Sequence, residues 1–286
     1  MPDWYFLSLA ALVLLGTQRF FYKVAAERNC SSPLTTAVFM ATVTLLSAAA
    51  FLLSGDAVGD IPTLLLLAAI NSAAFALGTV VNMEALRRLP TAITFPLTRL
   101  SILLVIGFSI LYFGERPGPW QWLGILLGLA VVVVLAADLG GTAAVRQQRG
   151  TGLLLVAACV LCGAVASISS KFAAVATSKT AFMALSYLLG TIFSLAMAGT
   201  WKRGESAPRT GAVLGIGVLM GLFNFAGFYA FLAALERGPL SLIALITGMH
   251  FVIPVALSVL FYREKITPRR WLGIGLTLLA VLAIQY

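Results

Sequence analysis

The sequence predicts an all-α, polytopic membrane protein: ten transmembrane helices arranged as two inverted five-helix repeats. Three observations predict it: the composition, a series of apolar stretches of bilayer length, and a match of the chain to itself. Of 286 residues, 60% are apolar before glycine is counted, and the 26 Gly raise that share to about 69%, against ~45–50% in soluble proteins. Only 10% are charged, too few to tile a water-facing surface. Lipid is then the solvent for most of the chain. A hydrocarbon core of ~30 Å takes about 20 helical residues, so the length holds about ten spans with short connections.

Apolar stretches run over 4–25, 33–53, 61–83, 91–113, 119–137, 152–175, 180–200, 211–235, 239–262 and 270–285. Turn signals separate them, among them Gly55-Asp56, Pro117-Gly118-Pro119, Arg237-Gly238-Pro239 and Thr267-Pro268. The start, Met1-Pro2-Asp3-Trp4, lacks a basic n-region and runs on apolar to about Ala26, which reads as the first span and not a cleaved signal. The net charge of +9 does not point to nucleic acid, because most of the basic residues fall in connections on one side of the membrane. Cys30, Cys159 and Cys162 make no disulfide framework, and the Cys159-x-x-Cys162 pair inside an apolar run reads as packing.

Slid by 149 residues, Ala85-Leu86-Arg87-Arg88-Leu89-Pro90 lies over Ala234-Leu235-Glu236-Arg237-Gly238-Pro239. In the same register Gly114-Glu115 lies over Arg263-Glu264, and Trp122-Leu123-Gly124-Ile125 over Trp271-Leu272-Gly273-Ile274. At an offset of 148, Tyr22-Lys23-Val24-Ala25-Ala26 resembles Ser170-Lys171-Phe172-Ala173-Ala174. The chain therefore reads as repeats 1–138 and 151–286 joined by a polar, Gly-rich linker at 139–150. Five is odd, so the second copy enters from the opposite face and the repeats are inverted. Thirteen Lys and Arg fall in connections on one side and three (Arg116, Lys179, Arg237) on the other. The rich side is cytoplasmic by the positive-inside rule, which puts both termini outside.

The five-plus-five plan, the Gly114-Glu115 and Arg263-Glu264 pairs, the two Trp-Leu-Gly-Ile runs and the Lys-plus-small ends of spans 1 and 6 resemble EamA-type transporters of the drug/metabolite transporter superfamily. The resemblance implies a ten-helix carrier with a central cavity lined by spans 1, 3, 4, 6, 8 and 9, with spans 5 and 10 peripheral, in a bacterial inner membrane. It leaves the substrate open.

Charges at mid-depth are costly and need a partner, water or a purpose. All ten acidic residues fall in connections or at span ends. Arg99 lies near the middle of span 4, and its repeat-mate is Gly248, so one half supplies a cation and the other supplies space. His250 sits mid-way along span 9 with Thr247 on the same face. Their mates Ser101 and Thr98 belong to a hydroxyl stripe in span 4. Asn71 and Asn224 lie on spans 3 and 8; Arg19 and Tyr22 lie toward the cytoplasmic end of span 1, and Lys171 toward the outer end of span 6. Glu115 and Glu264 read as companions of the N-termini of spans 5 and 10.

These residues predict a secondary active transporter moving a small metabolite, such as an amino acid or organic anion, by alternating access. The expected substrate site is Arg99, His250, Thr247, Thr98, Asn71, Asn224, Arg19 and Lys171, with Tyr22 and Tyr229 closing over the ligand. No phosphate loop, zinc spacing or serine triad is visible, so neither an enzyme, a cofactor nor a metal is expected; an ion gradient or exchange drives transport. The alternative is an intramembrane enzyme or flippase acting on a lipid-linked phosphate, which would also use Arg99 and His250 but has no nucleophile beside them. The expected partners are the substrate, a coupling ion and the bilayer, with a monomer or homodimer as the assembly.

Overall fold

The computed structural model describes residues 2–28, 30–55, 57–88, 98, 100–137, 149–200, 210–262 and 268–284. Among them the regular elements are helical: α1 Asp3–Glu27, α2 Ser32–Ser54, α3 Ile61–Arg88, α4 Ser101–Phe113, α5 Pro119–Ala137, α6 Arg149–Ala176, α7 Lys179–Thr200, α8 Thr210–Arg237, α9 Leu240–Gly248, α10 Val252–Tyr262 and α11 Pro268–Ile284. Six are long and apolar enough to cross a membrane, and shorter apolar helices accompany them. Proline stands at the start of α5 and α11, where its missing N–H has no helical partner to lose.

Lipid offers no hydrogen bonds, so hydroxyls in these helices return to their own backbone. Ser8 donates to the Trp4 carbonyl (2.7 Å), Thr42 to Val38 (2.8 Å) and Thr191 to Tyr187 (2.7 Å), each one turn back.

The two halves of the chain interdigitate. α1 packs on α8, α3 on α6, α2 on α7 and α8, α3 on α7, α4 on α9, and α5 on α11. Exchanging the halves maps α1 on α8 onto α6 on α3, and α2 on α8 onto α7 on α3, while α2 on α7 and α5 on α11 map onto themselves. Pairing by this two-repeat plan depends on glycine at the crossings. A Cβ on Gly217 would meet Val38 at 2.6 Å, and one on Gly221 would meet Thr42 at 2.5 Å and the Phe39 carbonyl at 3.1 Å, so α8 can approach α2 only without side chains there.

The ninth apolar stretch is broken where the sequence predicts one span. α9 stops at Gly248, a 3₁₀ turn covers Met249–Phe251, and α10 begins at Val252. Pro254 explains the break: it has no N–H to give the His250 carbonyl one turn earlier, and its ring crowds that oxygen. Gly16 of α1 lies against the break, where a Cβ would stand 2.7 Å from the same carbonyl.

Candidate functional site

On α1, residues 8, 11, 15, 19 and 22 form one stripe at helical spacing. Its first half is packed, with Ser8 and Ala11 both 0% exposed; its second half is open, with Arg19 exposed and Tyr22 42% exposed. The opposite face carries Phe6 (54%) and Val13 (49%), as a lipid-facing surface should. The exposed guanidinium of Arg19 therefore lies on the inward stripe, where water and not hydrocarbon can meet it.

Side chains from three further helices gather around that opening. Tyr22 is hydrogen-bonded to Gln18 and lies close to Arg19. Its ring meets Phe39 of α2 edge-on at 6.4 Å, and Phe39 meets Tyr187 of α7 at 6.3 Å. Tyr187 is hydrogen-bonded to Asn224 of α8 and stands edge-on to Phe228 at 5.7 Å. Asn224 is 7% exposed, and among the described residues its Oδ1 has no hydrogen-bond partner. A buried amide oxygen without a donor is a costly feature, and it faces a neighbourhood where a ligand could supply one.

Thus Arg19, Tyr22 and Asn224 of the expected site come together, joined by Gln18, Phe39, Tyr187 and Phe228, which sequence reasoning missed. Gln18 carried a signal, a polar residue one turn before Tyr22 inside a span. Tyr187 carried less, because one tyrosine in span 7 has no partner visible in sequence.

The other expected residues have different surroundings. Asn71 of α3 points its amide at α6, within reach of the Ala166 carbonyl (2.9 Å), Ser169 Oγ (3.0 Å) and Ser170 Oγ (3.1 Å), so it joins two helices. Asn71→Ala is expected to lower stability by about 1–2 kcal/mol, a few degrees in the melting temperature of the solubilised protein, while leaving ligand affinity unchanged. Thr247 donates to the Ile243 carbonyl of its own helix, and His250 Nδ1 meets the Thr247 carbonyl; both side chains are buried beside the helix break. Tyr229 lies on an exposed stripe of α8 with Leu219 and Leu222, five residues and hence about 140° from Asn224. It does not close over the site. Thr98 is helical and half-buried, and Arg99 lies outside the described residues.

Lys171 is used at a helix end. Its ammonium donates to the carbonyls of Leu235 and Gly238 (2.8 Å), where α8 finishes, and lies 5.7 Å from the ring centre of Phe113. Cations belong at this end of a helix dipole. Glu115 accepts from the backbone N–H groups of Leu240 (2.6 Å) and Ser241 (3.1 Å) and from the Ser241 hydroxyl, so it caps α9 and not, as expected, the helix that follows it. Gly114, at φ +64°, ends α4 and turns the chain into that position. Nearby, Lys179 pairs with Glu236 at 2.9 Å, and Thr177 bridges to Gly59.

This end of the molecule is solid. Every residue from Ala230 to Leu235 and from Leu240 to Thr247 is buried, around the whole circumference of each helix. On the other side of α1 from the opening, a groove of about 480 Å³ runs between α1 and α10, lined by Thr17, Phe20, Phe21, Val24, Arg28, Leu257 and Phe261. Among the described residues no three His, Cys, Asp or Glu side chains group as a metal would require.

The family model of EamA-like transporters matches the chain twice, over residues 3–137 and again over 150–286. The chain belongs to the EamA-like transporter family. It is accordingly an integral, multi-pass membrane protein of a transporter family within the drug/metabolite transporter superfamily. A solved crystal structure has the same fold as this EamA-like chain, with a TM-score of 0.79 at 20% identity, covering 99% of this chain and 98% of that one. Comparison with curated proteins finds no match to it.

Proposed function

We propose that this EamA-like protein is a secondary active transporter for a small metabolite bearing an anionic group, such as an amino acid or organic anion. It has ten spans: residues 1–138 and 151–286 form inverted halves joined by 139–150 and rock around a ligand held between them. Arg19 and the Tyr22 hydroxyl take the anion. Asn224, oriented by Tyr187, accepts a hydrogen bond from the rest of the ligand, and the rings of Phe39 and Phe228 line its apolar part. The protein resides in a bacterial inner membrane with both termini outside, works without a cofactor, and draws on an ion gradient or exchange.

The observation that carries this reading is the exposure of Arg19 and Tyr22 on the inward stripe of α1, which is fully buried two turns earlier. A permanently charged guanidinium presented to an interior opening suits anion capture better than packing. The test begins with thermal-shift screening of the purified protein against amino acids, organic acids and sugar phosphates, because a ligand of the folded form raises apparent stability. Proteoliposomes preloaded with the stabilising compound should then show counterflow of its labelled form. Stabilisation only by cationic compounds, or turnover of the ligand to a new covalent species, would overturn it.

A further inference from the structure

The solid end of the molecule is closed by helix ends whose caps come from elsewhere in the chain. The α8–α9 connection has two exposed backbone polarities, the last carbonyls of α8 and the first N–H groups of α9. Lys171, from α6 of the second half, takes the carbonyls of Leu235 and Gly238, while Glu115, from the end of α4 in the first half, takes the N–H groups of Leu240 and Ser241. The two caps are opposite in charge and near enough to attract each other. Neither belongs to the connection it holds.

We propose that Glu115 and Lys171 are the latch of this mouth, and that both caps must break for it to open. Charge-assisted hydrogen bonds are about twice as strong as neutral ones, so the two that the Lys171 ammonium donates and the three that the Glu115 carboxylate accepts on this one connection bias a two-state opening strongly toward closed. Each cap also ties α8–α9 to a different partner: Lys171 to α6 and Glu115 to α4. Opening then means that the connection leaves α4 and α6 together, as a unit. The latch rests on the carrier reading for its purpose but not for its existence.

A reporter cysteine at Ala244, one turn below the capped end of α9 and 7% exposed, reads the opening directly. In protein whose Cys30, Cys159 and Cys162 are replaced, a water-soluble maleimide should label Ala244→Cys slowly. Adding Glu115→Gln or Lys171→Met should raise that rate about tenfold or more, with the double variant adding little to either, because each cap depends on the other holding the connection in place. A second reporter, Val131→Cys in α5, 0% exposed and twelve residues along that helix from its Pro119 start, should stay slow. Unchanged labelling at 244, or an equal rise at 131, would overturn the latch. A rise at 244 alone, in a protein that shows no counterflow of any ligand, would uphold the latch and sink the carrier.

Discussion

Protein carrying Arg19→Gln, reconstituted in liposomes, is expected to bind its ligand about 10–100-fold more weakly, which corresponds to losing one charged hydrogen-bonded contact of about 1.5–3 kcal/mol. Glutamine is uncharged, shorter and carries two N–H donors instead of five, so the loss measures the whole guanidinium contact. Arg19→Lys should recover part of the affinity, since a point charge replaces a planar fork. Melting temperature should hardly move, because Arg19 is exposed to the interior opening and not packed. The concentration giving half-maximal counterflow checks this, with the thermal shift by ligand as a second readout. Equal affinity in wild-type and Arg19→Gln protein would remove the guanidinium from the site.

Gly221→Leu should produce the opposite pattern, a protein that does not assemble at all. The Cβ alone would stand 2.5 Å from Thr42 and 3.1 Å from the Phe39 carbonyl, and backbone cannot move aside as a side-chain tip can. Over-packing costs about 1–3 kcal/mol where neighbours can adjust. Here the three further carbons of leucine have to pry α8 off α2, and Phe39 of α2 is also the ring that links Tyr22 to Tyr187. The expected result is aggregated material on size exclusion. Gly221→Ala should remain folded with a melting temperature several degrees lower. A monodisperse Gly221→Leu protein of normal stability would show that α2 and α8 do not cross this closely.

Why some of this was readable in the sequence and some was not can be traced to particular residues. Spans and duplication were visible because lipid imposes length and apolarity on every helix, and because Ala85 to Pro90 and Ala234 to Pro239 keep one register. The face of α1 that carries Arg19 and Tyr22 was also within reach, since helical spacing alone sets it. The same rule would have separated Tyr229 from Asn224, five residues apart and on opposite sides of α8. The break at Met249 was signalled by Pro254, but an apolar stretch of membrane length masks a proline that acts one turn upstream. Glu115 was assigned to the nearest helix start in sequence, whereas it caps one 125 residues away; only the packing of α4 against α9 brings the two together. Asn71 shows the same limit. An inward amide looks identical in sequence whether it meets a ligand or, as here, Ala166 and two serines of a neighbouring helix.

The closed mouth also determines where voltage acts. On the carrier reading, water in the other mouth reaches Arg19, sixteen residues or roughly 24 Å along α1 from Asp3, so the membrane potential falls across the dry segment between Arg19 and the closed mouth. An ion that reaches Arg19 from the wet side has crossed little of the potential. Almost all of the electrical work, about 2.3 kcal/mol per charge at 100 mV, is then done when the dry segment changes sides, and voltage should alter the rate of that reorientation far more than the affinity for the ligand.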